Sequence, residues 1–139
     1  QFAAQACPKG SIYGHARATS PLVDYAVQGP VYLRSSDHPL PDLVMALRGP
    51  ASQPIEVDVV GRIDTVRGGI RVTFDSPPDL PVSRLALRMQ GGKKGLLVNS
   101  RNICAHAFKA SAALTGQNGR PALLRPPLKA RCHKGHGHD

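Results

Sequence analysis

Ile55-Glu56-Val57-Asp58-Val59-Val60-Gly61-Arg62-Ile63-Asp64 is the stretch that decides the fold class. Ile55, Val57 and Val59 alternate with Glu56 and Asp58, so an extended chain puts aliphatics on one face and carboxylates on the other. Past Val60-Gly61 the apolar phase shifts through a bulge or continues differently through Ile63. Ile70-Arg71-Val72-Thr73-Phe74 returns after Gly68-Gly69, and the two segments read as a hairpin.

The same grammar extends in both directions. Turn signals recur at Gly29-Pro30, Pro39, Pro41, Gly49-Pro50, Pro77-Pro78, Gly91-Gly92, Asn118-Gly119 and Pro126-Pro127, a spacing suited to strands. Between them lie Ile12–Ala18, Val31–Arg34, Leu43–Leu47 and Arg84–Met89, the last with Leu85, Leu87 and Met89 opposite Arg84 and Arg88. Leu96-Leu97-Val98 reads as a short buried strand. Ala105 to Thr115 alternates loosely, and its alanines also suit a helix. Asn118-Gly119 is the strongest tight-turn dipeptide. The expected fold is therefore all-β: a two-sheet antiparallel β-sandwich of about 8–9 short strands, with an open barrel as the alternative. A length of 139 residues suits one domain, placed at 7–132, with extensions at 1–6 and 133–139. With no Trp, three Phe and three Tyr, the core must be built from Val, Leu, Ile and Ala.

Charge is distributed unevenly. Residues 1–79 hold 7 Lys/Arg against 8 Asp/Glu, while 80–138 hold 11 Lys/Arg and no acid, so the net +9 resides in the second part. Such polarity reports on partners rather than on fold. Lys93, Lys94, Arg101, Arg120, Arg125 and Lys129 are the candidate contact residues for a partner: another copy, another surface protein or an anionic polysaccharide. Nucleic acid is less well supported: Phe108 is the only aromatic after residue 80, and single strands need stacking platforms. If acidic and basic parts occupy different faces, copies can stack head to tail into a filament. Phe2 in the extension Gln1–Ala6 is the candidate anchor of a strand added to a neighbour.

Catalytic constellations are thin. Asp75 and Asp79 flank Ser76-Pro77-Pro78 and read as a solvated turn rather than a carboxylate pair for hydrolysis. His15 and His38 lie near no recognisable nucleophile motif. Gly91-Gly92-Lys93-Lys94-Gly95 lacks the spacing of a phosphate loop and reads as a basic turn. His133, His136 and His138, with Asp139, are the one candidate metal-binding cluster, on a glycine-rich tail. No cofactor and no enzymatic activity are expected.

Cys7, Cys104 and Cys132 show no zinc spacing. In an exported protein they read as one disulfide and one odd thiol. Cys104–Cys132 is preferred because it ties both ends of the last third, with Cys7–Cys104 as the alternative and three reduced thiols in a cytosolic protein as the remaining case. No apolar run reaches the ~20 residues of a membrane span. The start at Gln1 is read as a processed end.

Cys7-Pro8-Lys9-Gly10-Ser11-Ile12-Tyr13-Gly14, Gly29-Pro30-Val31-Tyr32-Leu33 and Leu40-Pro41-Asp42-Leu43-Val44 occur in that order. Lys94-Gly95-Leu96-Leu97-Val98-Asn99-Ser100, Asn102-Ile103-Cys104 and Thr115-Gly116-Gln117-Asn118-Gly119 follow them. This series resembles a β-rich module at the C-terminal end of large secreted or surface proteins of actinobacteria. The resemblance spans roughly Cys7 to Cys132; the histidine-bearing tail departs from it. It implies export and a non-catalytic structural role at the cell surface or in an extracellular filament. Attached to a longer chain, such a module would leave Gln1 as a cleavage point and Cys7 without an upstream partner.

Overall fold

Antiparallel pairing organises the chain throughout. A computed structural model describes residues 7–75 and 77–132. Among the described residues eight strands form: β1 (Ile12–Thr19), β2 (Ala26–Arg34), β3 (Asp42–Arg48), β4 (Glu56–Val66), β5 (Gly69–Thr73), β6 (Arg84–Met89), β7 (Ala112–Thr115) and β8 (Pro121–Leu124). The first six make one antiparallel sheet in the order β5-β4-β3-β2-β1-β6, and the last two make a separate ribbon. The chain divides into two compact units, Gln1–Leu97 and Val98–Asp139. The all-β expectation holds at this level.

In the six-stranded unit side chains alternate between two faces, although the central strand β3 is buried on both. One face carries Ala16 and Ala18 of β1, Val31 of β2, and Leu43, Met45 and Leu47 of β3, all buried, with Val27, Leu33, Val57, Val59, Ile63, Phe74 and Met89 packed against them. This core sits over the central strands, where apolar burial is the dominant stabilising term. At the two edges the same face stays open. Ile70 and Val72 of β5 and Leu85 and Leu87 of β6 are 56%, 38%, 50% and 42% exposed.

Several expectations are corrected. No phase shift occurs at Val60-Gly61: β4 pairs with β3 in unbroken register from Arg48↔Glu56 to Asp42↔Arg62. Gly61 therefore falls on the core face, and an added Cβ there would stand 2.6 Å from side-chain atoms of both Val72 and Phe74. The hairpin turn lies one residue earlier than Gly68-Gly69. Val66 pairs with Gly69, and Arg67 (φ 52°) and Gly68 (φ 78°) form the loop, as the twist of a two-residue hairpin requires.

Gly29-Pro30 is not a turn. β2 runs through it, because Gly29 lets β3 approach so closely that a Cβ would overlap the Ala46 carbonyl oxygen. Pro30 has no N–H to donate, and the β2–β3 register lapses between Gln28↔Arg48 and Val31↔Met45. Leu96-Leu97-Val98 forms no strand; Leu97 and Val98 are exposed. Ala105–Thr115 contributes β7 and no helix.

The opposite face buries Tyr32, Val44 and Ala46 at its middle and carries ion pairs over β3, β4 and β5. Arg34 donates to Asp42 at 3.0 Å, Arg48 to Asp58 at 2.9 Å with Glu56 at 3.4 Å, and Arg71 to Asp64 at 2.8 Å, with Arg62 also facing Asp64. His38 Nε2 lies 2.8 Å from Asp42 and pins the 35–41 loop, where the Ser36 hydroxyl donates to the His38 and Leu40 carbonyls.

Partial burial pushes the Asp42 carboxyl up, but hydrogen bonds from Arg34 and His38 outweigh it and hold the group below the usual carboxylate range. A depressed folded value means the stabilisation is present above the unfolded value near ~3.9 and is lost as pH falls through the folded one. Asp42→Asn is expected to cost about 1 kcal/mol at neutral pH. In urea unfolding that difference should shrink as pH falls below the unfolded value and through the lowered folded one; a constant difference across the range would contradict the assignment.

Candidate functional site

The second unit is built on one disulfide and one hairpin. Cys104 and Cys132 are bonded across a sequence separation of 28, the pairing preferred from the sequence, and Cys7 is free. β7 and β8 pair from Ala112↔Leu124 to Thr115↔Pro121. Asn118-Gly119 turns the chain as expected: Gly116 N–H donates to the Arg120 carbonyl at 2.9 Å and Gly119 N–H to the Gly116 carbonyl at 2.8 Å.

The same register continues past the named strands. Lys109 bridges Pro127, Ala110 N–H donates to Pro126 at 2.9 Å, and Leu128 N–H to Phe108 at 2.8 Å. Directly opposed residues share a face and successive residues alternate. One face of the ribbon therefore carries Phe108 and Leu128, Ala110 and Pro126, Ala112 and Leu124, and Leu114 and Ala122. It is entirely apolar. The other carries Lys109, Ser111, Arg125, Ala113, Leu123 and Thr115, with Lys129 continuing it.

None of the described residues of this unit is buried, and Leu114, Leu124 and Leu128 of the apolar face are 56%, 51% and 55% exposed. Phe108 makes an edge contact with His106, ring centroids 6.2 Å apart. Residues 98–132 contain Arg101, Lys109, Arg120, Arg125, Lys129 and Arg131 and no carboxylate. The ribbon is thus a two-stranded element whose apolar side holds half-buried Phe108, Ala110 and Ala112 and exposed Leu114, Leu124 and Leu128, and whose other side carries Lys109, Arg125 and Lys129 with an exposed Leu123.

The residues singled out from sequence distribute as follows. Arg101, Arg120, Arg125 and Lys129 are exposed in this unit, with Arg125 and Lys129 on the cationic side beside Lys109. Lys93 and Lys94 sit apart from them in sequence, exposed in a single 3-10 turn (Gly92–Lys94) of the first unit. That turn is too short to act as a phosphate-binding helix end. His38 is engaged with Asp42, while His15 stands exposed on β1. Asp75 is exposed in the β5–β6 connection, as is Asp79. Phe2 and the cluster His133, His136 and His138 lie outside the described residues. Among the described residues no group of His, Cys, Asp and Glu is placed to hold a metal ion, and no helix is long and apolar enough to cross a membrane.

The apolar face itself went unread from sequence. Its signal was available: positions placed symmetrically about the Asn118-Gly119 turn are apolar together at Phe108/Leu128, Ala112/Leu124 and Leu114/Ala122. The prolines at 121, 126 and 127 disguised the return strand as loop. No family model matches the chain, and neither a curated protein nor a solved structure does.

Proposed function

We propose that the chain is a non-enzymatic, exported structural module that associates with further copies of itself in an extracellular or cell-surface polymer. The observation that carries this reading is the exposure of Leu114, Leu124 and Leu128 on the apolar face of the ribbon. A two-stranded ribbon is marginal alone, and an exposed apolar sheet face is covered by a partner in a stable arrangement. The partner is a second copy, because the chain carries a surface of the complementary kind. The core face of the six-stranded sheet is open at Ile70, Val72, Leu85 and Leu87.

Charge favours the same pairing. Eight of the nine acids fall in 1–97, whereas 98–132 is purely basic. Ribbon on sheet is a heterologous contact, which propagates as a filament unless the rotation closes. The disulfide supports an oxidising, extracellular setting, and the resemblance to surface-protein modules agrees with it.

Light scattering of the full chain without reductant tests the reading. A mass that rises with concentration above the 14.8 kDa monomer is expected. Leu114→Lys/Leu124→Lys should return it to monomer and leave the melting of the six-stranded unit unchanged, since charges cannot enter the buried contact without several kcal/mol of desolvation. A monomer at every concentration, or an unaffected variant, would overturn it.

A further inference from the structure

The charged face of the six-stranded sheet divides electrically into two halves. Over β3, β4 and β5 and the end of β2, Arg34, Arg48, Arg62 and Arg71 meet Asp42, Glu56, Asp58 and Asp64, four positive groups against four negative, joined in ion pairs. Over β1 and β6 the register sets no carboxylate opposite the cations among the described residues. Arg17 stands opposite Ala86, His15 opposite Arg88 and Thr19 opposite Arg84. No ion pair joins Arg17, Arg84 or Arg88 to a described carboxylate. These side chains, with Gln28 of β2, line a depression of about 330 Å³.

We infer that this depression binds an anionic polysaccharide, a chain carrying carboxylate or sulfate groups at intervals. Extended backbone rises ~3.3 Å per residue and strands lie ~4.8 Å apart, so Arg84 and Arg88 stand about 13 Å apart along β6, with Arg17 offset to one strand's side between them. Three guanidinium groups spread over that length offer more positive charge than one small anion neutralises. A linear polyanion lying along the strands can neutralise all three. Guanidinium forks take carboxylate and sulfate oxygens in pairs of hydrogen bonds. Thr19 and Gln28 line the same depression and offer hydroxyl and amide groups for sugar hydroxyls.

Single-stranded nucleic acid is disfavoured because the lining residues include no Phe, Tyr or Trp on which a base could stack. The site draws on β1 as well as β6, so it differs from the basic second unit and is independent of self-association.

The test uses the full chain carrying Leu114→Lys/Leu124→Lys, titrated calorimetrically with heparin, a polyuronate, neutral dextran and a single-stranded DNA oligomer. Binding to heparin or polyuronate is expected, weakening steeply with salt. Arg17→Ser/Arg84→Ser/Arg88→Ser should lower affinity at least ~50-fold and flatten the salt slope by about two to three. The charge-matched Lys93→Ser/Arg120→Ser/Arg125→Ser should lower it only a few-fold. As a check that needs no variant of the site, the glycan should shield Arg17, Arg84 and Arg88 from phenylglyoxal while Arg67 and Arg120 react. Equal losses in the two triple variants, protection confined to the second unit, or tighter binding of DNA than of either glycan would each overturn the proposal.

Discussion

Gly29→Ala is expected to lower the stability of the six-stranded unit by about 3 kcal/mol, the upper end for an overpacked site. The added methyl would overlap the carbonyl oxygen of Ala46, a backbone atom of the neighbouring central strand. A flexible side chain can swing aside; a β3 carbonyl flanked by Met45 and Leu47, 1% and 2% exposed, has nowhere to go. Relief requires β2 and β3 to part, which opens the core over its most buried strand. At urea slopes of about 1–3 kcal/mol/M the unfolding midpoint should fall by about 1–3 M. Gly10→Ala is the matched control, because a Cβ there meets nothing within 4 Å. Its effect should stay within about 0.5 kcal/mol. Equal midpoints for the two variants would show that β2 and β3 are not packed this closely.

The same glycine explains part of what the sequence hid. β1, β4, β5 and β6 are legible because each alternates between the two faces of the sheet, as Leu85, Leu87 and Met89 do against Arg84 and Arg88, and β3 because it is a continuous apolar run buried on both faces. The first half of β2 is not legible, since Gly29-Pro30 is chemically a turn signal and only a close-approaching neighbour makes glycine the required residue inside a strand. Leu96-Leu97-Val98 misleads in the other direction: three aliphatics satisfy a buried strand locally, yet no sheet edge pairs with them.

The arginine depression was beyond reach for a topological reason. Arg84 and Arg88 were readable as one face of β6, and Arg17 as one face of β1, but their meeting depends on β6 pairing with a strand more than sixty residues earlier, as when Ser83 bonds Thr19 at a separation of 64. Charge counted along the chain located the excess in the C-terminal part. Counted across the sheet, the uncompensated cluster also recruits β1.

Removing the disulfide should have the largest effect on the second unit. With Cys104→Ser/Cys132→Ser, amide protection across 98–132 is expected to collapse while the six-stranded unit keeps its melting transition. The reasoning runs from what else holds the ribbon. It has four paired positions on each strand, a few flanking backbone bonds and no buried side chain, and isolated two-stranded ribbons are marginal in water. Closing a loop across 28 residues contributes about 3.5 kcal/mol through the unfolded chain. That exceeds what so sparse a unit supplies from its own packing. Loss of the ribbon removes the apolar face as well, so the assembled mass should fall to monomer, whereas Cys7→Ser should change neither readout. Hydrogen exchange and light scattering on the same samples decide it. A protected ribbon in the double variant would mean that packing, not the cross-link, orders this unit. A protected ribbon in the wild type under reductant would place the module's stability outside redox control, and the case for an oxidising compartment would lose its main support.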